Sequence, residues 1–139
     1  MKQLLFLLFF CNISLVGQEY NLEKGFIANG YDVVSYFTDG KPKEGNNSFL
    51  TSYNGVKLKF SSEKNLKLFK ENPKKYFPQC GGFCAYAIAT RSERKEINPT
   101  TFEIRDGKLY LFYNKWFFNK LESWLDEKPD LLKIKATEN

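Results

Sequence analysis

Apolar and polar side chains alternate most cleanly between residues 48 and 60. Ser48-Phe49-Leu50-Thr51-Ser52-Tyr53 and Val56-Lys57-Leu58-Lys59-Phe60 flank Asn54-Gly55. Asn-Gly between two alternating runs is a strong hairpin signal, because both residues accept the positive φ of a tight turn. Pairing outward from that turn sets Tyr53 opposite Val56, Thr51 opposite Leu58 and Phe49 opposite Phe60. The register predicts one apolar face and one carrying Lys57 and Lys59. A second hairpin is predicted for residues 102–105 and 108–113 around Asp106-Gly107, with Phe102, Ile104, Leu109, Leu111 and Tyr113 on one side.

Elsewhere the spacing is helical. Ser61 or Ser62 caps a helix that buries Leu66 and Phe69, and Asn72-Pro73 stops it, since a residue before proline resists helical backbone. Asn72 then caps a second turn with Pro73 at its first position and Tyr76 and Phe77 inward. Residues 83–90 form a helix whose Ala85, Ala87 and Ala89 allow close approach to another element. Phe117, Leu121, Trp124 and Leu125 make an amphipathic stripe, Pro129 breaks that helix, and a helical tail reaches Ile134. Residues 33–37 are open between a strand, from their β-branched and aromatic content, and a short helix capped by Asp32 with Tyr36 one turn on. The lead-in before them is polar. The expected fold is α+β: one small domain of two β-hairpins packed against short helices and a C-terminal amphipathic helix.

The first 17 residues change the picture of compartment. Lys2, the apolar run 4–10 and a weaker apolar tail ending before Gly17 have the layout of a signal peptide. Residues 18–139 would then be the mature domain, exported to a periplasmic or extracellular space. A lipid-modified Cys11 is the alternative, although bulky Phe10 precedes it. A membrane span needs roughly 20 apolar residues, more than this run offers, and no second stretch follows. Removing residues 1–17 lowers the formal charge from +5 to +4 and leaves two cysteines. Lys57, Lys59, Lys64, Lys67, Lys70, Lys74 and Lys75 read as a solvated or envelope-facing surface, and no nucleic-acid partner is expected. A protein partner is not legible.

Candidate chemistry is narrow because the chain has no histidine. Ser-His-Asp and Cys-His catalysis are excluded, as are His-ligated zinc and haem within one chain. No carboxylate pair, phosphate loop or nucleotide fingerprint is arranged for catalysis, so an enzyme is not expected. What is left is Cys80-Gly81-Gly82-Phe83-Cys84. A thiolate pair suits a soft metal ion such as Cu(I). In an oxidising compartment the same pair admits a structural Cys80–Cys84 disulfide. Thiol-disulfide exchange is a third reading, weakened by a spacer one residue longer than Cys-x-x-Cys. Tyr31, Asp32, Tyr36 and Tyr86, with the unshielded backbone at Gly81 and Gly82, are candidates to line a small-ligand pocket at this turn. Against that stands aromatic packing, with Asp32 as a cap.

Tyr53-Asn54-Gly55-Val56-Lys57-Leu58-Lys59-Phe60-Ser61-Ser62-Glu63, Phe69 and Asn72-Pro73-Lys74-Lys75-Tyr76 together resemble the YHS domain family. Gly30-Tyr31-Asp32-Val33-Val34-Ser35-Tyr36-Phe37, residues 78–87 and Asp106-Gly107-Lys108-Leu109-Tyr110-Leu111 look like an exported bacterial branch of it. Metal-associated members place cysteines where this chain has Ser61 and Asn65, and the histidine of the family name aligns with Asn54. The resemblance therefore implies the fold and a binding role, without a metal site at those positions.

Overall fold

A computed structural model describes residues 19–127 and 129–138; the signal-peptide reading of residues 1–17 lies outside them. The polar lead-in is the first departure from expectation. It forms β1 (Leu22–Glu23) and β2 (Phe26–Ile27), an antiparallel pair whose second strand runs parallel to a strand 30 residues further on, Phe26 facing Lys57. Strands this short carry too little alternation to stand out locally.

Residues 33–37 resolve as helix: α1 spans Ser35–Thr38. β3 (Asn46–Tyr53) and β4 (Val56–Phe60) then form the expected hairpin, with Tyr53 opposite Val56 and Thr51 opposite Leu58. Phe49 does not face Phe60. The ladder slips between Leu50 and Asn46, and Asn46 pairs with Phe60 instead. At the slip, the Ser48 N–H donates to Asn46 Oδ1 at 2.8 Å. Such a local side-chain bond competes with the ladder and lets the strand bulge. The sheet order is β1-β2-β4-β3. Val56, Leu58 and Phe60 are buried on its inner face and Lys57 is exposed on the other.

α2 (Glu63–Glu71) starts at Ser62, whose hydroxyl accepts from the Asn65 N–H, and α3 (Pro73–Tyr76) has proline at its first position as expected. The Asn72 side chain makes no capping bond. α4 (Ala85–Arg91) buries Ala85, Ala87 and Ala89, and the small side chains let α6 (Pro129–Glu138) lie close against it.

The second hairpin, β5 (Asn98–Arg105) and β6 (Lys108–Phe112), pairs Phe102 with Leu111 and Ile104 with Leu109. Leu109, Tyr110, Leu111 and Phe112 are all buried, so both faces of β6 are covered rather than one. On one side Tyr36 packs edge-on against Phe102, centroids 4.8 Å apart; on the other Trp124 lies 5.4 Å from Tyr110 and 5.3 Å from Phe112.

The last correction concerns residues 114–126. β7 (Asn114–Lys115) and β8 (Phe118–Asn119) make a third, tiny hairpin, and α5 (Lys120–Asp126) begins only after Asn119. The Leu121 N–H donates to Asn119 Oδ1 at 3.1 Å, and this cap sets the helix start. Phe117 therefore sits on a turn in solvent, and Leu125 is exposed, leaving Trp124 as the buried anchor of α5. The helical tail runs past Ile134 to Glu138. It is tied to the second hairpin by Arg105–Asp130 at 3.0 Å and by Lys133–Asp106. Helices, small sheets and one shared core make the α+β domain that was expected. Among the described residues no helix is long and apolar enough to cross a membrane.

Candidate functional site

Asp32 is fully buried, at 0% exposure, between α1, β4 and α2. Its Oδ1 accepts from the N–H groups of Val34 at 2.9 Å and Ser35 at 3.2 Å. Its Oδ2 accepts from the Ser61 N–H at 2.8 Å, the Ser61 hydroxyl at 2.6 Å and the Asn65 amide at 2.8 Å. A carboxylate offers about four lone-pair positions, so these five donors use its accepting capacity. The node joins the start of α1 to the end of β4 and the first turn of α2. Ser61 and Asn65 are the positions at which the resemblance set out above implies cysteine in metal-associated YHS domains. Here they are hydrogen-bond donors to a carboxylate, and neither offers a thiolate. A metal ion does not fit this donor set.

The cysteine turn is built differently. Cys80, Gly81 and Gly82 have φ of 58°, 59° and 77°, a short left-handed turn. A Cβ at Gly81 would lie 2.3 Å from the Glu19 carbonyl oxygen, and one at Gly82 would lie 2.7 Å from Ile27 Cδ1. The Asn21 N–H donates to the Gly81 carbonyl at 2.8 Å and the Asn21 amide to the Gly82 carbonyl at 3.2 Å. The glycines thus admit the chain's own Glu19, Asn21 and Ile27, and the backbone left bare by the missing side chains is already occupied.

Cys80 and Cys84 are both free thiols. Cys84, at the start of α4, is at 0% exposure inside the core. Cys80 is half-buried, and its Sγ lies 3.5 Å from the Ala136 carbonyl oxygen, placed to donate to it. Burial, reinforced by the neighbouring Cys84 thiol, pushes the Cys80 thiol from 9.0 up to about 12. Above it the Tyr110 hydroxyl is buried with no hydrogen-bond partner among the described residues. Burial, then the nearby Cys80, pushes that phenol up to about 12 as well.

Two cavities open onto Cys80. One, about 200 Å³, is lined by Glu19, Gln79, Gly81, Phe83, Ile88 and Arg94 around the sulfur. The other, about 350 Å³, has an aromatic wall of Tyr20, Tyr53 and Phe77, with Lys74 at its edge. Tyr20 and Tyr53 both pack on Phe77, at 5.7 and 5.4 Å between centroids. Of the residues expected to line a ligand pocket, Cys80 and Gly81 share these walls.

The others are placed elsewhere. Tyr36 is buried, donating to the Pro99 carbonyl at 2.5 Å; burial holds its phenol well above the usual range, and Tyr31 and Asp32 add to that. Tyr31 is half-buried against the core, its backbone bridged to Glu44. Tyr86 donates to the Glu127 carboxylate at 2.8 Å on the outer side of α4, where burial and that carboxylate raise its phenol. Gly82 and Cys84 are buried behind the turn. Sequence reasoning missed Asn65 as a buried partner, although a polar residue one turn before Phe69 on the inner face of α2 was a signal. It also missed the Tyr20, Tyr53 and Phe77 wall, whose members come from three separate segments.

Among the described residues no group of three or more His, Cys, Asp or Glu side chains converges as a metal cage. Residues 34–80, from the approach to α1 through the Cys80 sulfur, match the model of the YHS domain. No curated protein and no solved structure matches the chain.

Proposed function

We propose that this chain is a non-catalytic binding module built on a YHS domain, that it takes its ligand at the cleft around Cys80, and that a soft metal ion such as Cu(I) is the guest. The observation that carries the reading is the position of Cys80, a cysteine in the walls of two adjoining cavities with a second thiol nearby. Two sulfurs are enough for a soft monovalent cation, which accepts low coordination, and are too few for a closed zinc site. Cys80 and Cys84 would hold the ion, and the aromatic wall would keep bulk water from it.

Binding would be proton-coupled. A thiol that titrates near 12 is protonated at neutral pH, so each thiolate formed releases a proton and affinity rises with pH. The same raised thiol is the reverse of what thiol-disulfide exchange requires, which is a thiolate near neutrality. Export to a periplasmic or extracellular space remains part of this proposal, supported by Lys2 and the apolar run after it.

A second reading has its own support. Because Glu19 and Ile27 occupy the space over Gly81 and Gly82 and Cys84 is sealed, the cysteines can be small packing groups in an interaction domain. A competition titration of the reduced full chain with Cu(I), beside Cys80→Ser, separates the two. The metal reading expects one ion retained by the parent chain and lost in the variant. Equal, weak retention by both would leave the interaction domain standing.

A further inference from the structure

The tip of the third hairpin presents three consecutive aromatic side chains to solvent: Trp116 at 81% exposure, Phe117 at 99% and Phe118 at 57%. Exposed rings scattered singly are ordinary, whereas a contiguous apolar patch on a soluble domain marks an interaction site. This one is convex. It caps a ribbon with two residue pairs, Asn114 with Asn119 and Lys115 with Phe118, and almost nothing of the fold touches Phe117.

Lysines stand at ring level, and acids lie nearer the foot of the ribbon. Lys115 Nζ lies 5.3 Å from the Trp116 ring centroid, and Lys120 Nζ lies 5.8 Å from Phe118 and 5.2 Å from Tyr86. At the foot of the ribbon Lys95 sits over Tyr113 at 4.2 Å. Glu122 accepts from the Asn119 amide at 3.3 Å, and Glu127 accepts at 2.8 Å from Tyr86, the ring beside Lys120.

We infer that this tip is an insertion loop for an anionic lipid surface. Trp and Phe favour the membrane interface, where a ring reaches the acyl boundary, and lysines at ring level meet headgroup phosphates. Three rings bury roughly 500 Å², short of the roughly 800 Å² per partner of a stable protein interface. A bilayer needs no matching pocket and is held by shallow apolar insertion plus opposite charge. The tip also lacks polar side chains between its rings that would give a protein partner directional contacts.

Trp116 is its own reporter, because the other tryptophan, Trp124, is at 0% exposure. Residues 4–10 are apolar, so co-sedimentation of the full chain with vesicles is read only together with Trp116. The experiment mixes the full chain with vesicles of phosphatidylcholine containing phosphatidylglycerol, or of phosphatidylcholine alone, and follows tryptophan emission and its quenching by brominated lipid. The expected result is a blue shift and quenching with the anionic vesicles. Phe117→Ser combined with Phe118→Ser should lower partitioning roughly ten-fold or more at an unchanged melting temperature. Lys115→Gln and Lys120→Gln should each lower it roughly five-fold, on anionic vesicles only. Binding without Trp116 quenching overturns the inference and assigns the contact to another segment. Self-association without lipid that the Phe117/Phe118 variant abolishes also overturns it, in favour of a second copy as occupant.

Discussion

Asp32 and Cys80 are both polar groups drawn into the interior, and the fold treats them in opposite ways. Around Asp32 five donors from three elements converge on two oxygens, so its hydrogen-bonding capacity is consumed by architecture. Around the Cys80 sulfur a single long contact to the Ala136 carbonyl is made, the residue lines two cavities and the nearby Tyr110 hydroxyl has no partner among the described residues. A buried polar group whose valences are filled is a structural rivet. One with capacity left over is where a guest can be accommodated. The pattern runs against the metal site that the resemblance to YHS domains would imply, because Ser61 and Asn65 belong to the rivet, and the thiols of this chain lie at a different turn.

The largest test of that contrast is Asp32→Ala. It strands several buried donors at once, each costing about 1–3 kcal/mol, so urea denaturation should show a loss of at least about 3 kcal/mol. A loss under about 1 kcal/mol would show that water or rearrangement satisfies the donors and that the node is dispensable.

Gly81→Ala comes next. Positive φ alone costs about 1 kcal/mol, and the added Cβ would meet the Glu19 carbonyl, whereas at Gly107, with φ of 72°, nothing lies within 4 Å of such an atom. Gly81→Ala should therefore destabilise measurably more than Gly107→Ala in paired thermal melts. Equal effects would mean that residues 19–21 give way easily and that the turn is open to a ligand after all.

The alkaline limb sharpens the Cys80 half. With its thiol raised from 9.0 to about 12 in the fold, the unfolded chain ionises first as pH rises and then binds fewer protons than the native state. Stability is thus fully present below about 9 and declines between about 9 and about 12. Cys80→Ala should flatten that decline, measured as the midpoint of denaturation against pH. An unchanged slope would show that the sulfur is more hydrated than its position implies.

Smallest in effect is Tyr110→Phe. Removing a buried hydroxyl with no described partner should leave the melting temperature unchanged or raise stability by up to about 1 kcal/mol. A clear loss would reveal a partner for the hydroxyl, and with it a fuller hydrogen-bonding environment over Cys80.

Local signals were read well where their physics is local. Asn54-Gly55 closed its hairpin, Ser62 capped α2, Pro73 opened α3, and the alanines of α4 let another helix approach. Asp32 was legible as a helix-start residue, and its reach to Ser61 and Asn65, 29 and 33 residues away, was not. Gly81 and Gly82 were legible as a close approach, while the approach of Glu19 and Ile27 to them was not. The apolar spacing from Phe117 onward suggested one helix, and the Asn119 cap cut it short.

Composition and order along the chain settled the α+β class, the exclusion of histidine chemistry and the placement of both main hairpins, since these follow from backbone preference and side-chain periodicity over a few residues. The folded arrangement alone decided that β6 is covered on both faces, that Asp32 is spent on holding elements together, and that Cys80 rather than Cys84 meets the cavities. Each of those outcomes depends on which distant surfaces come into contact, and contact between distant surfaces has no period along a sequence.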